Sequence, residues 1–333
     1  MSKPQILSDR FVKGGRFRLQ KQILDTASMV EFVADEIAAD GGNARQVALT
    51  MLRFGFRDEA RDSLMRSLSL LRAIVFRTFP AIREIHPEQE SGLLVISDYW
   101  RTARPLSEVI DEAKNSRIEP DLTFALYVLK SMCSAVSLLH ECRVSDFKTI
   151  HGALSPQTVW IDSAGNLRCR NHFFGLALAH QQGHSPEEAS DVRGLGEVFW
   201  NLVSHEGWSG AEPALMRNRG GAEKRILEAS GLLPGFGRPT VCEFADVVDE
   251  VLASGAYYAT QKYASHWLGH KRLPAEPSWT RTKKPATGPA PRPGGQQPQH
   301  GTKGRRSILP WIVGIIVLTM AAVFGIVRFL VQP

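Results

Sequence analysis

The chain has 333 residues, of which 43% are hydrophobic, and its formal net charge is +6. Nine basic residues and one acidic residue lie between Lys271 and Arg306, and their net positive charge is larger than that of the whole chain. The positive charge is therefore concentrated in this segment and does not indicate a nucleic-acid-binding face. The four cysteines show no Cys-x-x-Cys spacing and lie in or beside apolar patterns, so we expect them to be reduced and buried.

The first third of the chain has the pattern of a small, strand-rich unit. Short β-type runs cover Val47 to Met51 and Leu93 to Ile96, and they flank a helical stretch from Ala60 to Phe76. This pattern predicts a small lobe over about residues 16–100, preceded by an N-terminal extension of residues 1–15. That extension lacks a charged segment followed by an apolar one, so we expect no cleaved signal peptide.

From about residue 101 to residue 255 the pattern predicts a larger, mainly helical unit. Apolar residues recur at intervals of three and four from Leu122 to Leu139, which indicates a helix with a buried face. Two further helices are predicted, from Asp191 to Val203 and from Val241 to Leu252. The Asp191 carboxylate stands where it can cap the first of them.

A β-hairpin is predicted between the first two of these helices. Strand Val159 to Asp162 and return strand Leu167 to Arg170 flank a Ser-Ala-Gly-Asn turn. The next segment contains three histidines: His172, His180 and His184. The Gln and Gly residues among them favour a flexible loop over a metal site.

The C-terminal part predicts a linker at residues 256–306 and a transmembrane helix at residues 307–330. Beyond residue 273 the linker has almost no aliphatic residues, so it cannot form a core. No ionisable side chain occurs from Ser307 to Val327, and about 20 such residues cross a hydrocarbon core of roughly 30 Å. Because the basic residues precede this segment, we expect a tail-anchored protein whose N-terminal bulk is cytoplasmic, at the inner membrane if the source is a bacterium.

Several landmarks between residues 16 and 255 follow one another in the order of a known family. They are Leu138-Leu139-His140-Glu141, Ile150-His151-Gly152-Ala153-Leu154-Ser155-Pro156, Phe173-Phe174-Gly175-Leu176-Ala177, Asp191-Val192-Arg193-Gly194-Leu195-Gly196 and Arg238-Pro239-Thr240. Together and in this order they resemble the eukaryotic-like serine/threonine protein kinase domain. The resemblance implies an α+β, bilobal fold with a small β-rich lobe and a larger helical lobe. It also implies that the following residues support the fold: His151, Leu154, Pro156, Gly175, Asp191, Gly196 and Arg238.

In the large lobe, the residues that perform chemistry in this family are replaced. The family has an Asp in the catalytic loop as base, an Asn five residues later as metal ligand, and an Asp before Phe-Gly that holds magnesium. The matching positions here are Ala153, Thr158 and Phe173. A methyl group accepts no proton and a phenyl ring coordinates no magnesium, so the resemblance implies a domain without a catalytic base or a metal.

The small lobe has lost its phosphate-binding residues as well. The segment that matches the glycine-rich loop is Asp25-Thr26-Ala27-Ser28-Met29-Val30, which contains no glycine. Thr50 stands at the position of the phosphate-binding lysine, and no acid occurs from Ser63 to Arg83 to pair with it. The resemblance therefore implies a pseudokinase, which keeps the fold and uses no cofactor.

We expect a non-catalytic scaffold or regulator at the cytoplasmic membrane face that binds a protein partner, such as an active kinase or a membrane-bound assembly. Two alternatives remain open. One is an atypical kinase or nucleotidyl transferase with relocated acids, for which Asp146 and Asp162 are candidates. The other is a module in which the basic linker senses anionic lipid headgroups. No nucleic-acid partner is expected.

Overall fold

The computed structural model describes the chain in segments between residues 11 and 270. These described residues are 11–12, 15–37, 44–53, 55–74, 76–88, 92–144, 147–184, 186–209, 220–234, 237, 239–255 and 257–270. They belong to one compact unit, Met1–Thr282. The second unit, Lys283–Pro333, contains the predicted membrane segment and lies outside the described residues, as do Asp146 and Arg238.

The described residues form a mixed α+β structure, as the sequence predicts. The strands are β1 (Phe11–Val12), β2 (Phe17–Asp25), β3 (Met29–Glu36), β4 (Arg45–Leu52), β5 (Ile82–Glu88), β6 (Gly92–Asp98), β7 (Ala103–Pro105), β8 (Arg143–Val144), β9 (Phe147–Lys148), β10 (Val159–Asp162) and β11 (Leu167–Cys169). The helices are α1 (Asp58–Ala73), α2 (Leu106–Asn115), α3 (Leu122–Glu141), α4 (Phe174–Gln182), α5 (Glu188–Ser204), α6 (Gly221–Ala229), α7 (Val241–Ser254) and α8 (Gln261–His270). Strands prevail up to β7, and helices prevail after it.

The strand-rich part is an antiparallel sheet with the order β1-β2-β3-β4-β6-β5, and α1 connects β4 to β5. Successive side chains of a strand point to opposite faces. In β6, Leu93 and Val95 therefore join Leu64 and Leu68 of α1 in one apolar cluster. The alternate residues of β6 pack on the other face of the sheet, in a cluster with Phe17 and residues of β4. The sheet thus buries apolar side chains on both faces.

The helical part is built around α3. Asp121 caps this helix, since its Oδ1 accepts a hydrogen bond of 2.8 Å from the Phe124 amide. Twelve of the 20 residues of α3 are buried, in a core that includes residues of α5, α7 and α8. Within the part of the chain that the structure describes, α3 alone has the length and hydropathy of a membrane-crossing helix, a property that buried core helices share.

Helix α4 corrects the prediction of a flexible loop after the hairpin. Leu176, Ala177 and Ala179 are buried, and the ring of His180 also lies inside, with its Nε2 3.0 Å from Ser67 Oγ on α1. The Gln and Gly residues that suggested a loop lie only at the end of this segment, where Gly183 ends the helix with a left-handed backbone. Burial of the preceding turns therefore decides the local structure.

Helix α8 corrects the predicted start of the linker at residue 256. Trp267 stacks on Phe124 of α3 with ring centroids 4.2 Å apart, and Ala264 is fully buried. The hydroxyl of Tyr263 donates a hydrogen bond of 2.7 Å to Asp121. Aromatic burial in this short segment outweighs its polar composition. The folded part of the chain therefore continues to at least His270.

Candidate functional site

Asp191 holds the segment around His151 through its backbone. The carboxylate is fully buried, and it accepts hydrogen bonds of 2.8 Å from the His151 amide and 2.7 Å from the Gly152 amide. His140 Nε2 donates a third bond of 2.9 Å. A buried carboxylate needs such donors in place of water. Helix α5 begins three residues before Asp191, so the sequence prediction that this residue caps the helix was wrong, because its oxygens bond elsewhere.

Two glycines allow the segment at residues 150–152 to touch the segment at 173–175. The Gly175 amide donates a hydrogen bond of 2.9 Å to the His151 carbonyl, and a Cβ at Gly175 would collide with the Ile150 carbonyl. Gly152 has a φ of +71°, a left-handed backbone that favours glycine. We call the backbone contacts of Asp191, His151, Gly152 and Gly175 the Asp191 frame.

His151 supports this frame as a neutral ring. Its Nδ1 accepts from the Ala153 amide at 3.2 Å, so its Nε2 carries the proton and donates to the Arg170 carbonyl at 2.8 Å. Complete burial lowers the pKa of His151, which agrees with the neutral form. The ring is therefore a link between two backbone segments, with neither nitrogen left for proton transfer.

Three other residues that the resemblance assigns to the fold also lie in packed positions. Leu154 and Pro156 are buried in the same segment. Gly196 is a close-contact position on α5, because a Cβ there would collide with the Ser230 side chain. Arg238 lies outside the described residues.

Thr158, which the resemblance matches to the family's metal-binding Asn, is bonded within its own turn. The hydroxyl donates to the Ala153 carbonyl at 2.8 Å and accepts from the Ser155 amide at 3.0 Å. The Ala153 side chain packs against the apolar cluster that contains Phe173. Thr158 therefore stabilises the turn and Ala153 packs in the apolar cluster, and neither side chain carries a carboxylate or an amide group.

Phe173, which the resemblance matches to the family's magnesium-binding Asp, is part of an apolar core. Its ring is buried in a cluster with Met29 of β3, Leu64 and Leu68 of α1 and Leu176 of α4. This packing links the sheet, α1 and α4 at one point. A carboxylate in the same place would lose water without gaining a donor from these side chains.

A buried ion pair joins the sheet to the residues that follow the hairpin. Arg170 follows β11 and pairs with Glu31 of β3 through its Nε, at 2.9 Å, and its Nη2. The two residues are 1% and 2% exposed. Asn171 Nδ2 donates to the second Glu31 oxygen at 3.1 Å, and the Thr50 hydroxyl donates to Asn171 Oδ1 at 3.1 Å. Thr50, which the resemblance matches to the family's lysine, is thereby bonded to the segment just before Phe173.

Aromatic rings enclose the same guanidinium. The Arg170 Cζ lies 4.9 Å from the ring centroid of Trp160, 5.7 Å from that of Tyr99 and 5.8 Å from that of Trp100. Cation–π attraction adds to the ion pair at such distances. We call Glu31, Thr50, Arg170 and Asn171, with these three rings, the Arg170 cluster.

The cavity beside the cluster is small. It has a volume of about 190 Å³ and is lined by residues of β2, β7, α2 and by Trp160. Lys21 Nζ lies 3.4 Å from Glu108 Oε1 among its lining residues. Pockets that bind drug-sized ligands measure roughly 300–1,000 Å³. The cavity is therefore smaller than the usual site of a nucleotide-sized ligand.

The turn between β2 and β3 uses its amides internally. The Thr26 amide donates to the Met29 carbonyl at 2.9 Å, and the Met29 amide donates to the Thr26 hydroxyl at 3.0 Å. The Asp25 carboxylate pairs with Arg53 at 2.7 Å. The segment Asp25 to Val30 is thus a tight strand connection in which the Thr26 and Met29 amides are bonded within the turn, in contrast to a loop that cradles phosphate.

Two other candidates for acid–base or metal chemistry, Asp162 and His172, have structural contacts. The Asp162 carboxylate accepts from the Ala164 and Asn166 amides, both at 2.9 Å, so it forms the hairpin turn. His172 is buried beside Phe79, with ring centroids 5.1 Å apart, and burial lowers its pKa to about 3. No three His, Cys, Asp or Glu side chains gather as a possible metal site in the described segments.

Sequence reasoning missed Glu31, Arg170 and Asn171. A faint signal exists, because Glu31 interrupts the otherwise apolar run from Met29 to Val33. A buried acid in a central strand needs a partner, but the partner here lies 139 residues away in the sequence. No local pattern connects the two residues.

The comparisons with known proteins add no relative. No protein-family model matches the chain, and no curated protein matches it. Inferences about function therefore depend on the order of motifs in the sequence and on the residue contacts described above.

Proposed function

We propose that the chain is a membrane-anchored pseudokinase: a bilobal, protein-kinase-like domain without phosphoryl-transfer activity that binds a protein partner as a scaffold or regulator. Support for the bilobal fold comes from the order of elements, with a strand-rich part before a helical part, and from the landmarks in sequence order. The contacts of Asp191 with the segment at residues 151–152 also support it, because they join the two landmarks that resemble the catalytic loop and the central helix.

The Arg170 cluster is the observation that carries the non-catalytic part of the proposal. In the proposed kinase-like fold, a nucleotide in the cleft between the two lobes would have to separate Arg170 from Glu31. Leaving one charge of a buried pair without its partner costs about 3–5 kcal/mol. A triphosphate would also meet the Glu31 carboxylate in place of a lysine. Both effects oppose nucleotide binding.

The chemistry of phosphoryl transfer gives a second reason. This reaction gains its rate from positioning and from neutralising the charge of the transferring group. Thr50, Ala153, Thr158 and Phe173 offer neither a cation nor a carboxylate at the relevant positions. Their contacts are hydrogen bonds within the protein or apolar packing. The proposed domain therefore keeps the architecture and lacks the reactive groups.

The anchor and the partner are proposed from the sequence. The ionisable-free segment Ser307 to Val327 has the length of a bilayer span, and basic residues precede it. A flexible linker from about residue 273 to residue 306 has a root-mean-square reach on the order of 30 Å. A non-catalytic domain held this close to a membrane is suited to bind a protein at the cytoplasmic face.

A transfer assay with γ-phosphate-labelled ATP tests the non-catalytic proposal. We expect no labelled product from the full chain with magnesium or manganese, and none from Ala153→Asp or Phe173→Asp, because one restored carboxylate leaves the other groups missing. Transfer by the unmodified chain would support the alternative of an enzyme with relocated catalytic groups. A matched inactive control is the chain heated until it unfolds.

Crosslinking in native membranes tests the scaffold proposal. We expect the full chain to capture a specific protein partner, and a fragment that ends at Lys271 to capture less of it, since the fragment lacks the proposed anchor. Protease added outside sealed cells should leave the domain intact. Digestion of the domain from outside would contradict the proposed orientation.

A further inference from the structure

The outer face of α1 carries exposed apolar side chains. Arg66 and Leu70 lie on successive turns, and Ile74, which caps the helix, follows one turn later, so the three form one row. Leu70 is 55% exposed and Ile74 is 37% exposed. The opposite side of the helix, with Leu64 and Leu68, is buried against the sheet. The row therefore faces away from the core.

Arg66 belongs to this row, and Arg72 lies on the other exposed side of the same half of the helix, about 160° around the axis from Leu70. Arg66 and Arg72 are exposed, and neither forms an ion pair with a carboxylate within the described segments. The acidic residues of α1 all lie in its first half: Asp58, Glu59 and Asp62. The second half of α1 thus combines exposed apolar side chains with uncompensated arginines.

We propose that the second half of α1 binds the anionic lipid surface of the membrane to which the chain is anchored. Basic residues beside exposed apolar ones on a helix favour the boundary between headgroups and acyl chains, where arginines meet lipid phosphates and aliphatic side chains leave water. This inference rests on the proposed anchor, which would tether the domain to the membrane.

The charge distribution gives the contact a direction. Acids in the first turns of α1 are repelled by anionic headgroups, whereas Arg66 and Arg72 are attracted to them. Helix α1 therefore enters the interface with its C-terminal end, and its N-terminal end stays in water. Docking in this way gives the domain a defined orientation on the membrane, which a flexible linker alone does not provide.

Spin labelling of the full chain in vesicles tests the contact. The label is attached at Leu70→Cys, in a background of Cys142→Ser and Cys242→Ser, since Cys133 and Cys169 are buried. The matched control is Leu138→Cys on α3, because Leu138 is 56% exposed and Glu141 follows it one turn later. Collision with oxygen, which enriches in the bilayer, is compared with collision with a water-soluble nickel complex.

Vesicles of phosphatidylcholine alone are compared with vesicles that also contain phosphatidylglycerol. We expect the label at position 70 to become accessible to oxygen and shielded from nickel only in the anionic vesicles, while the label at position 138 stays in water. Replacing Arg66 and Arg72 by Gln should reduce the docked-to-free ratio about fivefold for each arginine, given about 1 kcal/mol per basic residue near an anionic surface.

Three results would overturn the proposal in different ways. An anchored chain whose label at position 70 stays in water in both vesicles contradicts the lipid contact. Shielding of this label from both reagents, only after an acidic protein is added, identifies a protein partner in place of lipid. A chain that alkaline extraction removes from the vesicles contradicts the anchor itself, a result distinct from the failure of α1 to dock.

Discussion

The Asp191 frame and the Arg170 cluster are both buried and polar, but their bonds differ in kind. In the frame, one carboxylate bonds backbone amides of His151 and Gly152, so it fixes the path of the chain. In the cluster, side chains bond one another. Glu31 bonds both Arg170 and Asn171, and Asn171 in turn bonds Thr50. The frame therefore holds two backbone segments together, whereas the cluster joins β3 and β4 to the residues after β11 through side chains alone.

Loss of the Asp191 carboxylate should have the largest effect. Asp191→Ala leaves three buried donors without their acceptor, and each such donor costs about 1–3 kcal/mol, so we expect a loss of about 4 kcal/mol in the free energy of unfolding. Denaturant unfolding measures this loss. The control is Asp249→Ala, because Asp249 is an exposed acid that pairs with Lys130. Equal effects of both replacements would contradict the role of the frame.

The Arg170 cluster should tolerate joint replacement, in contrast to the frame. Glu31→Leu or Arg170→Met alone leaves one buried charge unpaired, and we expect each to lower stability by about 3 kcal/mol. The double variant removes both charges, so it should recover most of this loss. A double-mutant cycle by chemical denaturation measures the coupling. If the two losses simply add, the pair is not the unit described here.

Protonation of His172, which lies in sequence between Asn171 of the cluster and Phe173, should lower the free energy of unfolding at acidic pH. Burial and the nearby His151 lower the pKa of His172 from 6.5 to about 3. The unfolded state then binds more protons than the folded state below pH 6.5, so stability is full above this pH and falls as the pH decreases. We expect a loss of about 2 kcal/mol between pH 7 and pH 5.

His172→Phe provides the check on that pH dependence. The ring packs beside Phe76 and Phe79, so phenylalanine is compatible with its surroundings and cannot be protonated. Stability of this variant should change less between pH 7 and pH 5 than that of the unmodified chain, by about 2 kcal/mol. If the free energy of unfolding of the variant depends on pH as strongly as that of the unmodified chain, groups other than His172 cause the acid sensitivity.

The same substitution in the turn after the frame and in the cluster gives the smallest but most closely matched comparison. Thr158 bonds two backbone groups, whereas Thr50 bonds one side chain, and both residues are buried. We expect Thr158→Val to cost about 2 kcal/mol and Thr50→Val about 1 kcal/mol in thermal unfolding. A larger effect at Thr50 would reverse the ranking of the two regions.

The sequence predicted the elements whose patterns are local. Helix α3 and the strands β4 and β6 follow the predicted apolar patterns, and the hairpin of β10 and β11 follows its turn residues. Helices α4 and α8 were missed because their polar or glycine-rich residues obscured burial that depends on distant partners such as Phe124. Tertiary contacts override composition at these two places.

The cleft was predictable only in part. The proposed loss of a base, a lysine and metal ligands depends on single residues such as Ala153 and Thr50, which the sequence itself contains. What replaces them depends on Glu31 and Arg170, which meet across 139 positions of sequence. Composition and periodicity describe neighbours along the chain, so they give no register between these two residues.

Thermal unfolding of the full chain with and without magnesium ATP tests the central claim most directly, because a ligand of the folded state raises stability whether or not it reacts. A ligand at 100 times its dissociation constant adds about 2.7 kcal/mol. Because we propose that the Arg170 cluster blocks nucleotide binding, we predict an unchanged unfolding temperature at millimolar ATP. A rise that requires magnesium would show that nucleotide enters the cleft, and it would contradict the account.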